Sequence, residues 1–381
     1  MNSETIHLMT IVGTRPEIIR LSSIINRLNK SKSIKHTLVH TGQNYDFNLN
    51  EVFFNDLNIS KPDVFLGAAS ESPSKTIGNI LIKIDSVLDD LKPDAILILG
   101  DTNSCLSSIA AKKKKIPIFH YEAGNRCFDQ RVPEETNRKI VDHISDINLT
   151  YSSIARDYLI NEGLNPDRTI KVGSPMFEVL TSHKNKIDSS KILSSLNLET
   201  GKYFLISCHR EENVDNQKNF NLLVNSLNSL AEKFKYPIIF PIHPRTKKIY
   251  EKSKINVHKL VKFIDPLGFI DYNKLQIESY VVLSDSGTIF EESSILNFRA
   301  LNLRESHERP EATEEASVVI TGLKIERILQ GIKILENQTT GKKRNISLVS
   351  DYNTPNVSLK IERIILSHID FINRVVWQKE S

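Results

Sequence analysis

The segment AILILGDTNSCLSSIAAKKKKIPIFHYEAGNR, residues 95–126, contains the pattern from which the fold can be inferred. Two short runs rich in strand-forming residues, 95–100 and 116–122, lie on either side of a helical stretch that ends in the lysine run 112–115. Strands that alternate with helices in this way form βαβ units, in which the strands are parallel and helices cover both faces of the sheet. The segment therefore predicts a doubly wound α/β domain.

The same alternation continues in both directions along the chain. In the first half the pattern predicts strands over residues 6–12, 36–42, 95–100, 116–122, 147–152 and 169–173. After a polar stretch at 183–202, which we interpret as a domain junction, strands are predicted over 203–209, 236–243, 260–265, 280–285, 299–304 and 317–321. The segment from residue 357 predicts a helix pair or one long bent helix. Two doubly wound α/β domains in series are the expected architecture.

Length and composition agree with this organisation and exclude several classes of protein. A chain of 381 residues with 39% hydrophobic and 25% charged content is typical of a two-domain globular protein. No apolar run is long enough to span a membrane, and the first residues do not resemble a secretory signal. A net charge of +4 is too small to indicate nucleic-acid binding. Cys105, Cys127 and Cys208 form no CxxC pair, so we expect a cytoplasmic protein without structural zinc.

Polar clusters follow directly after the predicted strands. They are GTRPE (13–17), TGQNYD (41–46), GDTNS (100–104), EAGNR (122–126), CHREEN (208–213) and SDSGT (284–288). In open parallel sheets, ligands bind beyond the carboxyl ends of the strands. If the loops of the two domains face one another, the ligand lies in the cleft between the domains.

Acidic residues of the first domain are candidates for acid–base chemistry. Asp101 follows one strand, and Glu122 ends another, where a buried carboxylate is costly unless it is paired or functional. Glu134 and Glu135 begin a predicted helix. From the residues alone, helix capping explains Asp101 as well as catalysis does, and complementing the helix dipole is the better explanation for Glu134. Cations that could neutralise these acids, or hold an anionic ligand, are Arg126, Arg131 and Arg138.

Candidates for holding an anion are concentrated in the second domain. They are His209, Arg210, His243, Ser286, Gly287, Thr288 and Arg309, and Glu292 in the next helical turn could reach a ribose hydroxyl. A histidine and an arginine at the end of a strand suit phosphate recognition and proton transfer, and small residues at a helix start leave N–H groups free for a phosphate. Capped, solvated loops are the alternative explanation of the same residues. No GxGxxG or GxxxxGK[ST] motif predicts a dinucleotide or ATP site.

The order of these motifs resembles the non-hydrolysing UDP-N-acetylglucosamine 2-epimerase family. GTRPE, TGQ, GDT, HxEAG, PEExNR, HRxEN, HPR, SDSG and ERPE follow one another between about Val12 and Glu311. The resemblance implies two Rossmann-like domains of glycosyltransferase-B-like architecture with the active site between them. Residues 1–174, with a helix at about 357–381 packing back on them, form the first domain, and residues 175–356 form the UDP-binding domain. It further implies a UDP-sugar substrate, a homodimer, no cofactor or metal, and no nucleic-acid or membrane partner.

Several positions depart from the pattern usual in this family. They are Arg20, Asn44, Glu211, Thr288, Phe290 and the short loop NRCFDQRV at 125–132. This set resembles the branch that converts UDP-2-acetamido-2,6-dideoxy-L-talose to UDP-N-acetyl-L-fucosamine for capsule or O-antigen synthesis. The alternatives are a UDP-N-acetylglucosamine 2-epimerase that gives UDP-N-acetylmannosamine and, more remotely, a glycosyltransferase of the same architecture.

The resemblance also implies roles for individual residues. Asp101, Glu122 and Glu134 are the implied acid–base residues at the sugar C2, and His209 is implied to stabilise or protonate the leaving phosphate. The implied substrate-binding residues are Arg15, Gln43, Arg210, His243, Ser286, Gly287, Thr288, Glu292 and Arg309.

Overall fold

The structure, a computed structural model, describes residues 5–43, 47–208, 210, 213, 216–242, 256–304 and 308–379. The chain divides into two compact units. Unit 1 consists of Met1–Thr181 together with Asp351–Ser381, and unit 2 of Ser182–Ser350. Each unit is built around a parallel sheet, so the predicted pair of Rossmann-like α/β domains is confirmed.

Unit 1 is a doubly wound α/β unit. Its strands are β1 (Ile6–Val12), β2 (Ile34–His40), β3 (Val64–Phe65), β4 (Ala95–Leu99), β5 (Ile118–Ala123), β6 (Ile147–Thr150) and β7 (Thr169–Lys171). Its helices in the N-terminal segment are α1 (Arg15–Leu28), α2 (Phe47–Asp56), α3 (Pro73–Leu91), α4 (Ser108–Lys113), α5 (Glu134–Ile144), α6 (Ser153–Asn161) and α7 (Met176–Ser182). Short 3₁₀ helices span Asn103–Ser107, Pro166–Arg168 and Ser350–Tyr352. In the described residues the strand order is β3-β2-β1-β4-β5-β6-β7, so the order reverses between β1 and β4.

Unit 2 repeats this plan. After the short helices α8 (Lys184–Ser189) and α9 (Ile192–Ser195), its strands are β8 (Phe204–Ser207), β9 (Ile238–Pro241), β10 (Val261–Ile264), β11 (Val281–Ser284), β12 (Ala300–Asn302) and β13 (Val319–Ile320). Its further helices are α10 (Gln217–Phe234), α11 (Phe269–Glu278), α12 (Ile289–Leu296), α13 (Pro310–Glu314) and, after the last strand, α14 (Ile325–Leu335). In the described residues the order is β10-β9-β8-β11-β12-β13, with the reversal between β8 and β11.

The segment after residue 356 forms a single helix, α15 (Val357–Val375), so the helix pair left open by the sequence is not formed. Buried isoleucines of α15 recur at helical spacing, and the helix packs against α1. Arg27 of α1 pairs with Glu362 at 2.5 Å beside this contact. Chain segments from both ends of the sequence therefore build unit 1. Among the described residues, no helix combines the length and apolar character needed to cross a membrane.

His36 of β2 gives unit 1 a predicted sensitivity to acid. Its ring nitrogens lie 2.5 Å from Asn29 Oδ1 and 2.8 Å from Thr10 Oγ1, and burial lowers its pKa from 6.5 to about 4. The unfolded chain therefore binds the proton at higher pH than the folded chain does. We expect the free energy of unfolding to be steady above about pH 6.5 and to fall towards pH 4, by at most about 1.4 kcal/mol per pH unit for this residue.

Urea unfolding at pH 7.5, 6 and 5 measures this slope, and His36→Gln supplies the comparison because glutamine keeps a donor and an acceptor without titrating. The variant should lose stability less steeply with acid than the wild type. Equal slopes for the two proteins would show that His36 does not carry the effect.

Candidate active site

Glu17 links the loops that follow β1 and β4. Its buried carboxylate accepts hydrogen bonds from the backbone N–H groups of Gly13 (2.9 Å) and Thr14 (2.7 Å). It also accepts from the hydroxyls of Thr102 (3.0 Å) and Ser104. Burial raises the pKa of Glu17 in spite of these hydrogen bonds. In the sequence Glu17 is part of the motif GTRPE and was given no role of its own. In the structure its carboxylate connects the GTRPE loop with the GDTNS loop.

Arg15 is the first residue of α1, beyond β1, and Gln43 lies on the loop beyond β2. The Arg15 guanidinium stands 5.7 Å from the centre of the Phe53 ring. Gln43 approaches Gly13 so closely that a Cβ at Gly13 would be 3.1 Å from Gln43 Cδ and 2.4 Å from Thr41 Oγ1. Only glycine fits at position 13, because any side chain would displace these neighbours. Both predicted binding residues thus lie at the carboxyl edge of the sheet.

Glu122 stands at an irregularity in β5. The pairing of β5 with β6 shifts register between Tyr121 and Ala123, and Glu122 has a left-handed backbone with φ 66°. Such a backbone costs about 1–3 kcal/mol for a residue other than glycine, and a bulge redirects the side chain at the end of a strand. Gly100, at φ 72°, faces this carboxylate; a Cβ there would lie 3.7 Å from Glu122 Oε2.

Three side chains compensate the burial of the Glu122 carboxylate, which is 7% exposed. Arg20 of α1 forms an ion pair with Oε2, and the Tyr151 hydroxyl donates to the same oxygen at 3.1 Å. Asn125 Nδ2 donates to Oε1 at 3.1 Å. Arg20 is one of the positions at which the sequence departs from the usual family pattern. Tyr151 and Asn125 carried no signal in the sequence, because nothing in a strand-end tyrosine or a loop asparagine points to a carboxylate far along the chain.

Asp101 and the start of α5 form the next part of the cluster. Asp101 Oδ2 accepts from Nε (2.9 Å) and Nη2 (2.8 Å) of Arg138, whose Nη1 donates to Glu135 Oε2 at 2.9 Å. Arg138 thus neutralises Asp101, as the sequence suggested, and also pairs with the buried Glu135. Glu134 is the first residue of α5 and is half-buried. The structure therefore brings Asp101, Glu134 and Glu135 to one edge of the sheet, with Glu122 on the neighbouring strand.

A buried ionic cluster lies behind these residues. Asp142 of α5 is 3.0 Å from His120 Nδ1 and accepts from Arg126 Nη1 at 2.7 Å, and His120 Nε2 donates to the Gly100 carbonyl at 2.8 Å. Burial opposes ionisation of Asp142, but the hydrogen bond from His120 and the charges of His120 and Arg126 hold its pKa below the usual range. Burial likewise opposes a charge on His120, but Asp142 raises its pKa overall. Arg126 also pairs with Glu162, so this arginine neutralises the buried Asp142 and a second, more exposed acid.

In unit 2, Asp285 fixes the chain that follows β8. Its Oδ2 accepts from Cys208 Sγ (3.1 Å), the Arg210 backbone N–H (3.0 Å) and Asn213 Nδ2 (3.1 Å), and the residue is fully buried. The predicted binding residue Arg210 is therefore held at the carboxyl end of β8. The sequence included Asp285 in SDSGT without giving it this function.

The start of α12 follows β11 directly. Ser286 Oγ and Thr288 Oγ1 are 3.0 Å apart, and a Cβ at Gly287 would lie 3.9 Å from Glu308 Oε2. In the first turn of α12, Glu292 Oε2 accepts from Gln276 Nε2 at 2.6 Å. Arg309 Nη2 lies 3.6 Å from Glu291 Oε2 in the same turn. The predicted residues Ser286, Gly287, Thr288, Glu292 and Arg309 are thus gathered around one helix start.

His209, His243, Asn44 and Glu211 lie outside the described residues. Over the part of the chain that is described, no group of three or more histidine, cysteine or acidic side chains is arranged to hold a metal ion.

The chain is similar to known proteins over most of its length. The sequence model of the family described as UDP-N-acetylglucosamine 2-epimerase matches residues 26–366. The curated UDP-N-acetylglucosamine 2-epimerase of Methanococcus maripaludis is 38% identical, over 85% of this chain and 90% of that one. The solved structure of UDP-N-acetylglucosamine 2-epimerase from Rickettsia bellii is 50% identical, with a TM-score of 0.92 over 99% of this chain and 100% of that one. The Methanocaldococcus jannaschii UDP-GlcNAc 2-epimerase, solved in complex with UDP-GlcNAc and UDP, is 34% identical, with a TM-score of 0.87 over 95% and 100%.

Proposed function

Because this chain belongs to the UDP-N-acetylglucosamine 2-epimerase family, we propose that it inverts the configuration at C2 of a UDP-linked 2-acetamido sugar. The family match covers most of the chain, and the relatives named above are isomerases of this kind. The M. jannaschii relative binds UDP-GlcNAc and UDP, which supports a UDP-sugar as the substrate here.

One observation in unit 1 carries the proposal: carboxylates and arginines alternate along one edge of the sheet. Asp101 is paired with Arg138, and Glu122 with Arg20, where strands β4 and β5 end. General acid–base catalysis needs a carboxylate within reach of the reacting proton, and neighbouring cations keep such a group ionised in a buried site. Glu122 lies at a β-bulge with a left-handed backbone, and an arginine, a tyrosine and an asparagine bind its carboxylate. Helix capping requires none of these features.

The reaction must solve a chemical problem, because the C2 proton of an N-acetyl sugar is not next to a carbonyl group. In the proposed step a carboxylate removes the C2 proton, the electrons of that bond form a C1=C2 double bond, and the C1–O bond breaks to release UDP. In the return step a phosphate oxygen of UDP adds to C1, and a proton is delivered to the opposite face of C2. We assign the proton transfers to Asp101, Glu122 and Glu134.

The nucleotide is assigned to unit 2. The backbone N–H groups at the start of α12, with Ser286 and Thr288, suit a phosphate. The Glu292 carboxylate, oriented by Gln276, suits a ribose hydroxyl. Arg210 and Arg309 supply positive charge for the diphosphate as it departs, the point at which such charge lowers a barrier most. We assign the role at the leaving phosphate to His209 and further substrate contacts to Arg15, Gln43 and His243.

The proposed substrate is UDP-2-acetamido-2,6-dideoxy-L-talose, and the product UDP-N-acetyl-L-fucosamine for capsule or O-antigen polysaccharide. This choice is supported by the departures from the usual family pattern, including Arg20, Thr288, Phe290 and the short loop 125–132. Two of them lie at the candidate sites, since Arg20 contacts Glu122 and Thr288 precedes α12.

UDP-N-acetylglucosamine is the second candidate substrate. The names of the relatives favour it, among them the R. bellii protein at 50% identity. Both substrates pass through the same chemistry at C2, so the choice between them concerns C6 and the ring stereochemistry.

Proton NMR of each UDP-sugar incubated with the protein in D₂O tests the proposal. We expect the C2 proton signal of the deoxy-talose nucleotide to disappear as deuterium enters, and a second set of signals from the C2 epimer to grow to a constant ratio. Turnover of UDP-N-acetylglucosamine alone would contradict the substrate assignment. Continuous release of free UDP and sugar would indicate a hydrolase, and no exchange with either nucleotide would contradict the epimerase proposal itself.

A further inference from the structure

The carboxylate of Glu122 is held on both oxygens. Arg20 and the Tyr151 hydroxyl both donate to Oε2, and Asn125 donates to Oε1 at 3.1 Å. Tyr151 follows β6 and is 1% exposed, so water does not compete for its hydroxyl. Hydrogen bonds to an ionised group in such surroundings are stronger than those between neutral groups.

A second tyrosine shows that a buried hydroxyl here does not require a carboxylate. Tyr121, in β5 and 0% exposed, contacts Tyr151 edge-to-face with ring centres 4.9 Å apart. Its hydroxyl donates to the backbone carbonyl of Gly173 at 2.8 Å. The two tyrosines thus contact each other and are equally buried, but of these two hydroxyls the one that donates to Glu122 is that of Tyr151.

Tyr151 also supports the cation on the other side of the same carboxylate. The Arg20 guanidinium lies 5.9 Å from the centre of the Tyr151 ring, within the range of a cation–π contact. One aromatic side chain therefore contacts both members of the Arg20–Glu122 ion pair. Because Glu122 is already in a left-handed backbone conformation, its side chain direction depends on such contacts.

We propose that Tyr151 is a positioning residue, whose hydroxyl fixes the Glu122 carboxylate in the orientation needed for proton transfer at C2. The proposal rests on the proposed function, in which Glu122 acts at C2. In this role Tyr151 acts through Glu122 alone, so it sets the rate of the chemical step and leaves nucleotide binding unchanged. Freed from Tyr151, Glu122 would remain paired with Arg20 but rotate more widely.

Tyr151→Phe tests this role, with Tyr121→Phe as the matched control. Both variants lose one buried hydroxyl and keep the aromatic ring. We expect Tyr151→Phe to lower kcat about 10- to 100-fold, as for the loss of one hydrogen bond to a charged group, with KM changed less than about twofold. Tyr121→Phe should keep kcat within about twofold of the wild type. Equal kcat values for the two variants, or a rise in KM without a fall in kcat, would overturn the proposal.

A second measurement separates failure of this inference from failure of the epimerase assignment. The ¹³C signal of the Glu122 carboxyl carbon, identified by its absence in Glu122→Gln, reports on the carboxylate without any turnover. Among the described residues, the charged or ionisable groups near it include Arg20, Tyr151 and the thiol of Cys105 in the 3₁₀ helix after β4, whose pKa is raised by burial. We expect Tyr151→Phe to move the titration of this signal to higher pH, because a donor to the ionised form is lost, and Tyr121→Phe to leave it in place. If neither variant moves it, Tyr151 does not act on Glu122, whatever the substrate.

Discussion

Glu122→Gln is expected to slow the entry of solvent deuterium at C2 of the UDP-sugar by about 100- to 10,000-fold, the range found when a general acid or base is removed. The amide has nearly the shape of the carboxylate but cannot accept a proton from carbon. It also leaves the Arg20 guanidinium without its buried counter-charge. The same experiment with Asp101→Asn and Glu134→Gln shows which of the three acids are required for exchange.

Glu362→Gln is the control for this series. Glu362 pairs with Arg27 where α15 meets α1, away from the strand ends, and its replacement should leave the exchange rate unchanged. Deuterium entry is followed by proton NMR with each variant at the same concentration. Near-wild-type exchange in all three site variants would refute the assignment of these acids.

Asp142→Asn is expected to destabilise unit 1 by about 3–5 kcal/mol, because it removes the anion of a buried ion pair and leaves His120 and Arg126 Nη1 without that counter-charge. Asp142 is fully buried and accepts from Arg126 while it faces His120. The loss would be a large part of the roughly 5–15 kcal/mol that stabilises a typical domain. Because pairing holds the Asp142 pKa below its usual 3.8, its contribution is present above about pH 4 and is lost as the pH falls further.

Asp129→Asn provides the contrast. Asp129 pairs at 2.7 Å with Arg131, whose side chain is 83% exposed, so this change should cost less than about 1 kcal/mol. Urea unfolding of both variants at pH 7 measures the difference. Similar midpoints for the two variants would show that the Asp142 cluster adds no more stability than a surface pair.

The sequence allowed most of the architecture to be predicted, because hydrophobic periodicity determines which segments pack into a sheet. The strand predicted over 6–12 has the same bounds as β1. The strand predicted over 95–100 corresponds to β4, and the prediction is one residue longer than the observed strand. The two-residue strand β3 was missed, because Val64 and Phe65 are too few to form a pattern. The polar stretch 183–202, interpreted as a junction, contains the short helices α8 and α9. Polarity alone did not separate an exposed helix from a linker.

The candidate site was only partly predictable from the sequence. Asp101 and Glu122 were proposed because Asp101 follows an apolar strand and Glu122 ends one, where an acid is conspicuous. The tyrosine that holds Glu122 was not predicted, because Tyr151 reaches it across the sheet, nor was the way in which Glu17 joins two loops from inside a helix. Such contacts depend on side-chain directions, which a bulge such as that at Glu122 changes without any mark in the sequence.

The packing of α15 on α1 has a consequence for how the protein is made. Synthesis runs from the N-terminus, so the strands of unit 1 leave the ribosome long before Val357–Val375 can cover α1. During that interval all of unit 2 must emerge, while α1 lacks the helix that packs on it in the finished protein. Unit 1 can therefore complete its folding only after the whole of unit 2 has been synthesised.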